Sequence, residues 1–228
     1  MNEIISMIQE LSHETGKDVK QIMFDLLMFI IVNFNPEVKP DPTWRYTKEQ
    51  NKKFHDMMVQ WLKVMDEELK HKEWYDPWGD LFMALTPKGG MKGQFFTPDN
   101  ICDMMADICN PATAEPKTLC GAFGWRVTVN DPTCGSGRNL LAAHAKFIKE
   151  KVRQPFLVAE DIDLTCCLMT AVNMMSHGCF GEVICHNTLT DPKGIRIGFL
   201  INEGMYPLTP GIPTIRIRKE PEWFVSLR

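Results

Sequence analysis

The segment 127–144 limits the possible folds more than any other part of the sequence, because it combines a short strand, a glycine loop and the start of a helix. Val127 and Val129 alternate with polar residues, as in a short strand. Apolar residues then recur at helical spacing, at Leu140, Leu141, Ala145 and Ile148. Gly135 and Gly137 lie between the two patterns, where they permit positive φ and let main-chain N–H groups face a ligand. The segment predicts a strand–loop–helix unit that binds an anionic group.

The glycine loop differs from two common nucleotide-binding motifs. Leu140 stands where the third glycine of Gly-x-Gly-x-x-Gly would be. The sequence also has no Gly-x-x-x-x-Gly-Lys-Ser/Thr run, which a P-loop requires. A nicotinamide or ATP site is therefore disfavoured.

Four segments instead resemble those of one enzyme family, in the family's own order. The loop at 131–137 resembles the glycine loop of adenine-specific, S-adenosylmethionine-dependent DNA methyltransferases related to type I restriction modification subunits. Residues 93–98 (Gly-Gln-Phe-Phe-Thr-Pro) resemble the family's Gly-Gln-Phe-Tyr-Thr-Pro motif. Residues 156–163 resemble the second strand with its acidic end, and residues 183–190 resemble the third strand and its Gly-Asp-Thr-Leu turn. The resemblance covers about residues 93 to 192.

This resemblance implies S-adenosylmethionine as the cofactor. Asp161 is then expected to accept hydrogen bonds from the ribose hydroxyls, Ile162 to cover the adenine ring, and Asn187 to touch the base edge. The residues expected to bind the cofactor are Phe95, Phe96, Thr97, Pro98, Asp131, Pro132, Cys134, Gly135, Ser136, Gly137, Asn139, Asp161, Ile162 and Asn187. The alternative for Asp161 and Asp163 is a solvated strand end or a helix N-cap.

One family motif is missing. Adenine methyltransferases carry Asn/Asp-Pro-Pro-Tyr/Phe at the end of the fourth strand, and this sequence contains no such tetrapeptide. In that motif, hydrogen-bond acceptors localise the lone pair of the adenine amino nitrogen, and the aromatic ring stacks on the flipped base. Segments 191–193 and 202–207 are poor substitutes, so no catalytic residue is assigned. The chain resembles the shortened forms of the family found in phages and mobile elements.

Three functions remain open. The first is an S-adenosylmethionine-dependent adenine (N6) DNA methyltransferase, or a trimmed descendant of one, in a restriction-modification system. The second is a catalytically inactive cofactor-binding or partner subunit, and the third is an interaction protein with a vestigial pocket. DNA is the expected partner, bound through another subunit or through segment 192–228, where six basic and three acidic residues give +3. A specificity or catalytic subunit is expected too, because little chain follows Asn187.

Composition sets the remaining limits. A net charge of −4 argues against a protein that binds nucleic acid over its whole surface. Eight cysteines with no Cys-x-x-Cys pair indicate reduced thiols, so no metal site is expected. The N-terminus lacks the features of a signal peptide, and the apolar run 24–32 is too short to span a bilayer. We therefore expect a cytoplasmic protein without membrane contact.

The positions of helix caps and glycine segments in the sequence predict two domains. Apolar periodicity indicates a helical N-terminal region over residues 1–92, with two helices separated at Gly16 and a further helix capped by Thr47. A glycine segment, residues 88–93, marks the predicted boundary to a methyltransferase-like domain over residues 93–228. We expect an α/β, doubly wound, class I (Rossmann-like) S-adenosylmethionine-dependent methyltransferase fold. Its sheet is abbreviated, because residues 195–228 are typical of short strands.

Overall fold

The structure is a computed structural model that describes residues 1–35, 37, 46–86, 95–109, 128–151, 155–190, 194–202 and 213–218. The chain divides into two compact units, Met1–Phe95 and Phe96–Arg228. Residues 87–94, which include the predicted boundary after residue 92, lie outside the described ranges. The position of that boundary therefore stays a prediction.

The described part of the first unit is helical, as the sequence predicts. Its helices are α1 (Asn2–Thr15), α2 (Val19–Asn33), α3 (Lys48–Glu68) and α4 (Pro77–Leu85). Gly16 ends α1 in the left-handed conformation, at φ 69°. Thr47 starts α3 with a capping box, in which its hydroxyl accepts from Gln50 N–H and the Gln50 side chain accepts from Thr47 N–H. The apolar stripes meet in a core that includes Ile4, Ile8, Leu11, Ile22, Leu26, Phe54, Trp61 and Trp78.

The second unit alternates helices and strands before it ends in strands alone. Its elements are α5 (Asp99–Cys109), β1 (Thr128–Asp131), α6 (Arg138–Lys149), β2 (Phe156–Asp161), α7 (Leu164–Ser176), β3 (Gly181–Cys185), β4 (Ile197–Ile201) and β5 (Ile215–Arg218). The strand order is β1-β2-β3-β4-β5. The predicted α/β, Rossmann-like fold with an abbreviated sheet is confirmed. In the described ranges, no helix is long and apolar enough to cross a bilayer.

The direction of the strands positions the site. β1, β2 and β3 are parallel, with Asp131 beside Ala159 and Asp161 beside Cys185. Their carboxyl ends therefore lie at the same side of the sheet, which we call the rim. β2 and β3 are almost fully buried because they carry near-continuous apolar runs.

Beyond β3 the chain turns back. β4 pairs antiparallel with β3, and β5 pairs antiparallel with β4. Asn202 ends β4 at φ 55°, and its side-chain amide donates to the carbonyls of Met175 and Cys179 at 3.2 and 2.8 Å. Its oxygen accepts from Thr214 N–H at 3.0 Å, which places β5 beside β4. The predicted short strands are confirmed at these positions. In the described ranges, the sheet thus contains one half of a doubly wound arrangement.

Candidate functional site at the rim

The loop between β1 and α6 is fixed by the residue that ends β1. Asp131 is almost buried, and its Oδ1 accepts from Thr133 N–H at 3.1 Å. Its Oδ2 accepts from the side-chain amide of Asn139 at 3.2 Å, in the first turn of α6. One carboxylate therefore ties both ends of the loop, which explains an acidic residue at the end of the strand.

Two glycines are required by the shape of the loop. Gly135 has φ 56° and Gly137 has φ 93°, a region that other residues adopt only at a cost. A Cβ at position 135 would stand 3.0 Å from the ring of Phe96, and one at position 137 would stand 3.1 Å from Cγ2 of Thr170. Any other residue at either position would therefore have both a strained backbone and a close contact.

Asp161 joins the loop to the end of β2. Its Oδ2 accepts from Gly135 N–H at 3.0 Å, and its Oδ1 accepts from Asp163 N–H at 2.9 Å. Burial raises the pKa of Asp161, while the hydrogen bonds from the main chain of Asp163 and Gly135 act in the opposite direction. The main-chain N–H of Ile162 also bonds to this carboxylate, which has about four acceptor sites and so can accept from one further donor. The structure thus brings together the glycine loop and the acidic residue that the sequence singles out.

The loop carbonyls are held by α7, a role that the sequence patterns do not predict. Thr170 donates its hydroxyl hydrogen to Gly135 C=O at 2.9 Å, and Asn173 donates its amide to Ser136 C=O at 2.9 Å. Both side chains are fully buried. A detectable signal exists, because these two polar residues lie three positions apart in the buried middle of a mostly apolar helix.

A second polar group, the Glu160 cluster, links the three strand ends. It consists of Glu160, Asn130, His186 and Thr188. Glu160 Oε1 accepts from the Asn130 amide at 2.7 Å, while Oε2 contacts His186 Nε2 and lies 3.4 Å from the Thr188 hydroxyl. Glu160 is 2% exposed and His186 is fully buried. The signal that was overlooked is a glutamate at the end of the apolar run of β2.

The segment before α5 lies across the start of α6. Arg138 donates to Thr97 C=O at 3.2 Å and pairs with Asp99 at 3.3 Å. Its guanidinium carbon is 5.9 Å from the centre of the Phe96 ring. The Pro98 carbonyl accepts N–H groups in the first turn of α5. Of the predicted residues 95–98, Phe96 lies beside Gly135 and Thr97 contacts the start of α6, whereas Pro98 contacts α5.

The other predicted residues occupy varied positions. Phe95 is 71% exposed, and its predicted contact with the cofactor stays a prediction. Ile162 follows Asp161 at the rim and is half exposed. Pro132 is exposed, and its carbonyl accepts from the Thr188 hydroxyl at 3.3 Å. Cys134 and Ser136 are buried within the loop.

Asn187 stabilises a local turn after β3. Its Oδ1 accepts from the N–H groups of Leu189 and Thr190, both at 3.1 Å. This use of the oxygen resembles an Asx-turn and accounts for asparagine at the position without any ligand. The predicted contact of Asn187 with the cofactor base therefore stays a prediction.

The cysteines of the described ranges are free thiols. They are Cys102, Cys109, Cys134, Cys166, Cys167, Cys179 and Cys185. Burial raises the pKa of the Cys134 thiol well above its usual value, so this loop residue is a neutral packing group. Among the described residues, no three His, Cys, Asp or Glu side chains are arranged to hold a metal ion.

Comparison with known proteins assigns the family. The sequence profile of the N-6 DNA Methylase family matches residues 81–200, which is more than half of the chain. The chain belongs to this family. The matched region of this N-6 DNA methylase domain takes in every predicted cofactor residue, from residue 95 to residue 187, and it ends within β4.

One solved structure is similar to part of the chain. It is the crystal structure of a modification subunit assigned to a type I restriction enzyme from Vibrio vulnificus YJ016, with 15% sequence identity and a TM-score of 0.34. The alignment covers 60% of this chain and 24% of that chain. The chain thus spans about a quarter of the subunit that it matches.

Proposed function

We propose that this chain binds S-adenosylmethionine and takes part in methyl transfer to the N6 amino group of adenine in DNA. The observation that supports it most is the contact between Gly135 N–H and the Asp161 carboxylate, at 3.0 Å. In a parallel α/β sheet, a glycine loop and an acidic strand end at one rim are suited to a nucleoside that carries an anionic group. Membership of the N-6 DNA methylase family supplies the reaction class.

The start of α6 offers a place for the cofactor's carboxylate. Its N-cap residue is Gly137, and no side chain caps the helix. Side chains cap α2, α3, α4 and α7, whereas α1, like α6, has no side-chain cap. The first N–H groups of a helix have no partner within the helix, and an anion stabilises them. An N-terminus without a side-chain cap, next to a glycine loop, therefore fits the carboxylate end of S-adenosylmethionine.

The residues at the rim also fit the nucleoside end. The Asp161 carboxylate can accept a hydrogen bond from a ribose hydroxyl besides those from the main chain. Thr170 and Asn173 hold the loop carbonyls, so the loop is ordered before any ligand arrives. When bound, S-adenosylmethionine supplies an electrophilic methyl group on its sulfonium. The chain's own contribution is to bind and orient this group.

Calorimetric titration of the purified chain tests the proposal. We expect S-adenosylmethionine and S-adenosylhomocysteine to bind with one site per chain. ATP is the matched control, because it carries the same nucleoside but lacks the amino-acid carboxylate. If neither S-adenosylmethionine nor S-adenosylhomocysteine gives a binding signal, at protein concentrations where a reference methyltransferase binds, the proposal is rejected.

Transfer is tested separately with cofactor labelled in its methyl group. Duplex DNA of varied sequence is the substrate, and the same duplexes with N6-methyladenine at every adenine are the control. Label in the first set alone supports methyl transfer by the isolated chain. No label in either set, together with measured cofactor binding, supports a cofactor-binding subunit without catalytic activity of its own.

The second function is a cofactor-binding subunit without catalytic activity of its own. The observation in its favour is that no two prolines are adjacent anywhere in the 228 residues, so the Asn/Asp-Pro-Pro-aromatic sequence is missing. Without these acceptors, the adenine amino nitrogen remains a weak nucleophile. Turnover by the isolated chain would exclude this function.

A further inference from the structure

The first residue of α6 carries a charge that the helix itself disfavours. Arg138 follows the N-cap residue Gly137, and the first turn of α6 contains no acidic residue. The N–H groups of that turn form the positive end of the helix dipole, so a cation at this position is unfavourable by itself. The Arg138 side chain is nevertheless only 12% exposed. Interactions outside α6 must therefore offset the unfavourable position of this charge.

The partners of Arg138 lie just before α5 and in its first turn. Nη1 of Arg138 donates to Thr97 C=O at 3.2 Å and lies 3.3 Å from Oδ1 of Asp99. A guanidinium has five donors in a fixed fork, so it can bind a carbonyl and a carboxylate together. Asp99 is the first residue of α5, where a carboxylate also favours its own helix. Arg138 and Asp99 thus join the N-terminal ends of α5 and α6.

The same segment places an aromatic ring on the glycine loop. The Phe96 ring is so close to Gly135 that a Cβ at position 135 would stand 3.0 Å from it. Gly135 N–H in turn donates to the Asp161 carboxylate at 3.0 Å. The guanidinium carbon of Arg138 lies 5.9 Å from the centre of the Phe96 ring, within the range of a cation–π contact. The segment that Arg138 binds therefore lies directly beside the proposed cofactor site.

A second ion pair between α5 and α6 provides a comparison within the same unit. Lys146, about two turns later in α6, pairs with Asp107 of α5 at 2.7 Å. These two side chains are 20% and 67% exposed, against 12% and 53% for the pair at Arg138. Lys146 pairs in addition with Glu150 within α6, whereas Arg138 binds in addition the Thr97 carbonyl. The two pairs are alike in exposure, but they differ in their distance along α6 from the glycine loop.

We propose that Arg138 is a positioning residue for the cofactor site. Through Asp99 and the Thr97 carbonyl, it fixes residues 96–99 against the start of α6 and so holds the Phe96 ring on Gly135. A wall that is ordered before the ligand arrives costs less to organise on binding. Arg138 thus acts on the cofactor through this segment and not by touching it. This inference rests on the proposed function, because it takes the S-adenosylmethionine site as given.

Matched substitutions separate positioning from simple helix packing. Arg138→Met keeps most of the apolar stem but removes the charge and the donors, and we expect about tenfold weaker binding of S-adenosylmethionine in calorimetry. Lys146→Met removes the comparison pair between the same helices and should leave the affinity unchanged. Both variants are titrated at a temperature where their unfolding curves show a folded chain. Equal affinities for the two variants would overturn the proposal.

Asp99 distinguishes positioning from direct contact with the cofactor. Asp99→Asn breaks the ion pair but leaves the Arg138 side chain in place. If Arg138 acts through the segment, Asp99→Asn should weaken binding about threefold, since the pair is partly exposed. Added to Arg138→Met, it should weaken binding no further. If Arg138 instead bound the cofactor's carboxylate, its release from Asp99 would leave the affinity unchanged or raise it, and that result would overturn the proposal.

Hydrogen exchange tests the segment without any cofactor. The N–H groups of Ile101 and Cys102 donate to Pro98 C=O at 2.9 and 3.1 Å, so their exchange reports the order of the segment. Both should exchange faster in Arg138→Met than in the wild type and in Lys146→Met, and equal exchange in all three would overturn the proposal. If the wild type binds no S-adenosylmethionine, the proposed function fails. If it binds the cofactor but Arg138→Met changes neither exchange nor affinity, the positioning role alone fails.

Discussion

Asp161→Asn tests the central contact of the rim with the smallest change of shape. The wild-type carboxylate accepts from Gly135 N–H at 3.0 Å and from Asp163 N–H at 2.9 Å. The amide keeps one oxygen, so one of these two N–H groups faces the Nδ2 donor instead of an acceptor. The substitution therefore removes one acceptor and one charge without leaving a cavity.

The expected loss of stability is small. An N–H group that loses its acceptor in a partly buried position costs about 1 to 3 kcal/mol. Burial raises the pKa of Asp161, which means that the ionised form is itself disfavoured, and the amide escapes this penalty. The two effects oppose each other, so we expect a net destabilisation of about 1 kcal/mol, measured by urea unfolding.

The expected loss of cofactor affinity is larger. Hydrogen bonds from ribose hydroxyls to a carboxylate contribute about 1.5 to 3 kcal/mol, so Asp161→Asn should weaken S-adenosylmethionine binding roughly 10- to 100-fold. Asp163→Asn is the matched control. Asp163 caps α7 through Thr165 N–H at 2.9 Å, and asparagine caps a helix equally well. Calorimetry should give similar affinities for the wild type and for Asp163→Asn. Equal affinities for the two variants, both folded, would refute the assignment of Asp161 to the ribose.

Three further predictions concern pH and stability. Because burial raises the pKa of Asp161, the folded chain holds the carboxyl proton more tightly than the unfolded chain does. The protonated carboxyl group therefore contributes most to stability below its pKa in the unfolded chain. This contribution is lost as the pH rises through the pKa in the folded chain. The unfolding free energy of the wild type minus that of Asp161→Asn should therefore fall from acid to neutral pH, and a rise would contradict the burial effect. Gly137→Ala should destabilise by about 1 to 3 kcal/mol in thermal unfolding, because positive φ and the contact with Thr170 both oppose a Cβ. Gly16→Ala, where nothing lies within 4 Å, carries the backbone penalty alone, and equal losses would show that the contact is unimportant. Thr47→Ala should cost about 1 kcal/mol while Thr47→Ser costs less, since serine preserves the capping box of α3, and equal losses would argue against the cap.

Local patterns in the sequence are sufficient to predict the strands, the loop and the helices that carry the site. Gly135 and Gly137 mark a turn that needs positive φ, and Asp161 follows an apolar run that has the length of a strand. The helices of the first unit follow from apolar periodicity and from caps such as Thr47. These signals are local, because backbone conformation and helix capping depend on near neighbours in the chain.

Contacts between distant residues could not be read in the same way. Thr170 and Asn173 hold carbonyls that are 35 and 37 positions earlier in the chain. Glu160 and His186 are 26 positions apart. A buried polar residue can be noticed in a sequence, but its partner depends on how the elements pack. The antiparallel direction of β4 and β5 was likewise not predicted, because short apolar runs carry no information about strand direction.

The Glu160 cluster has a consequence for how such chains are inherited. Glu160 and His186 are both buried, so a substitution that removes one takes a buried polar contact from the other, at a cost of about 1 to 3 kcal/mol. Such mutations therefore weaken the fold whether or not the chain still has a substrate. A lineage that has given up catalysis therefore preserves the alignment of its strand ends, and that alignment in a descendant records ancestry and not present activity.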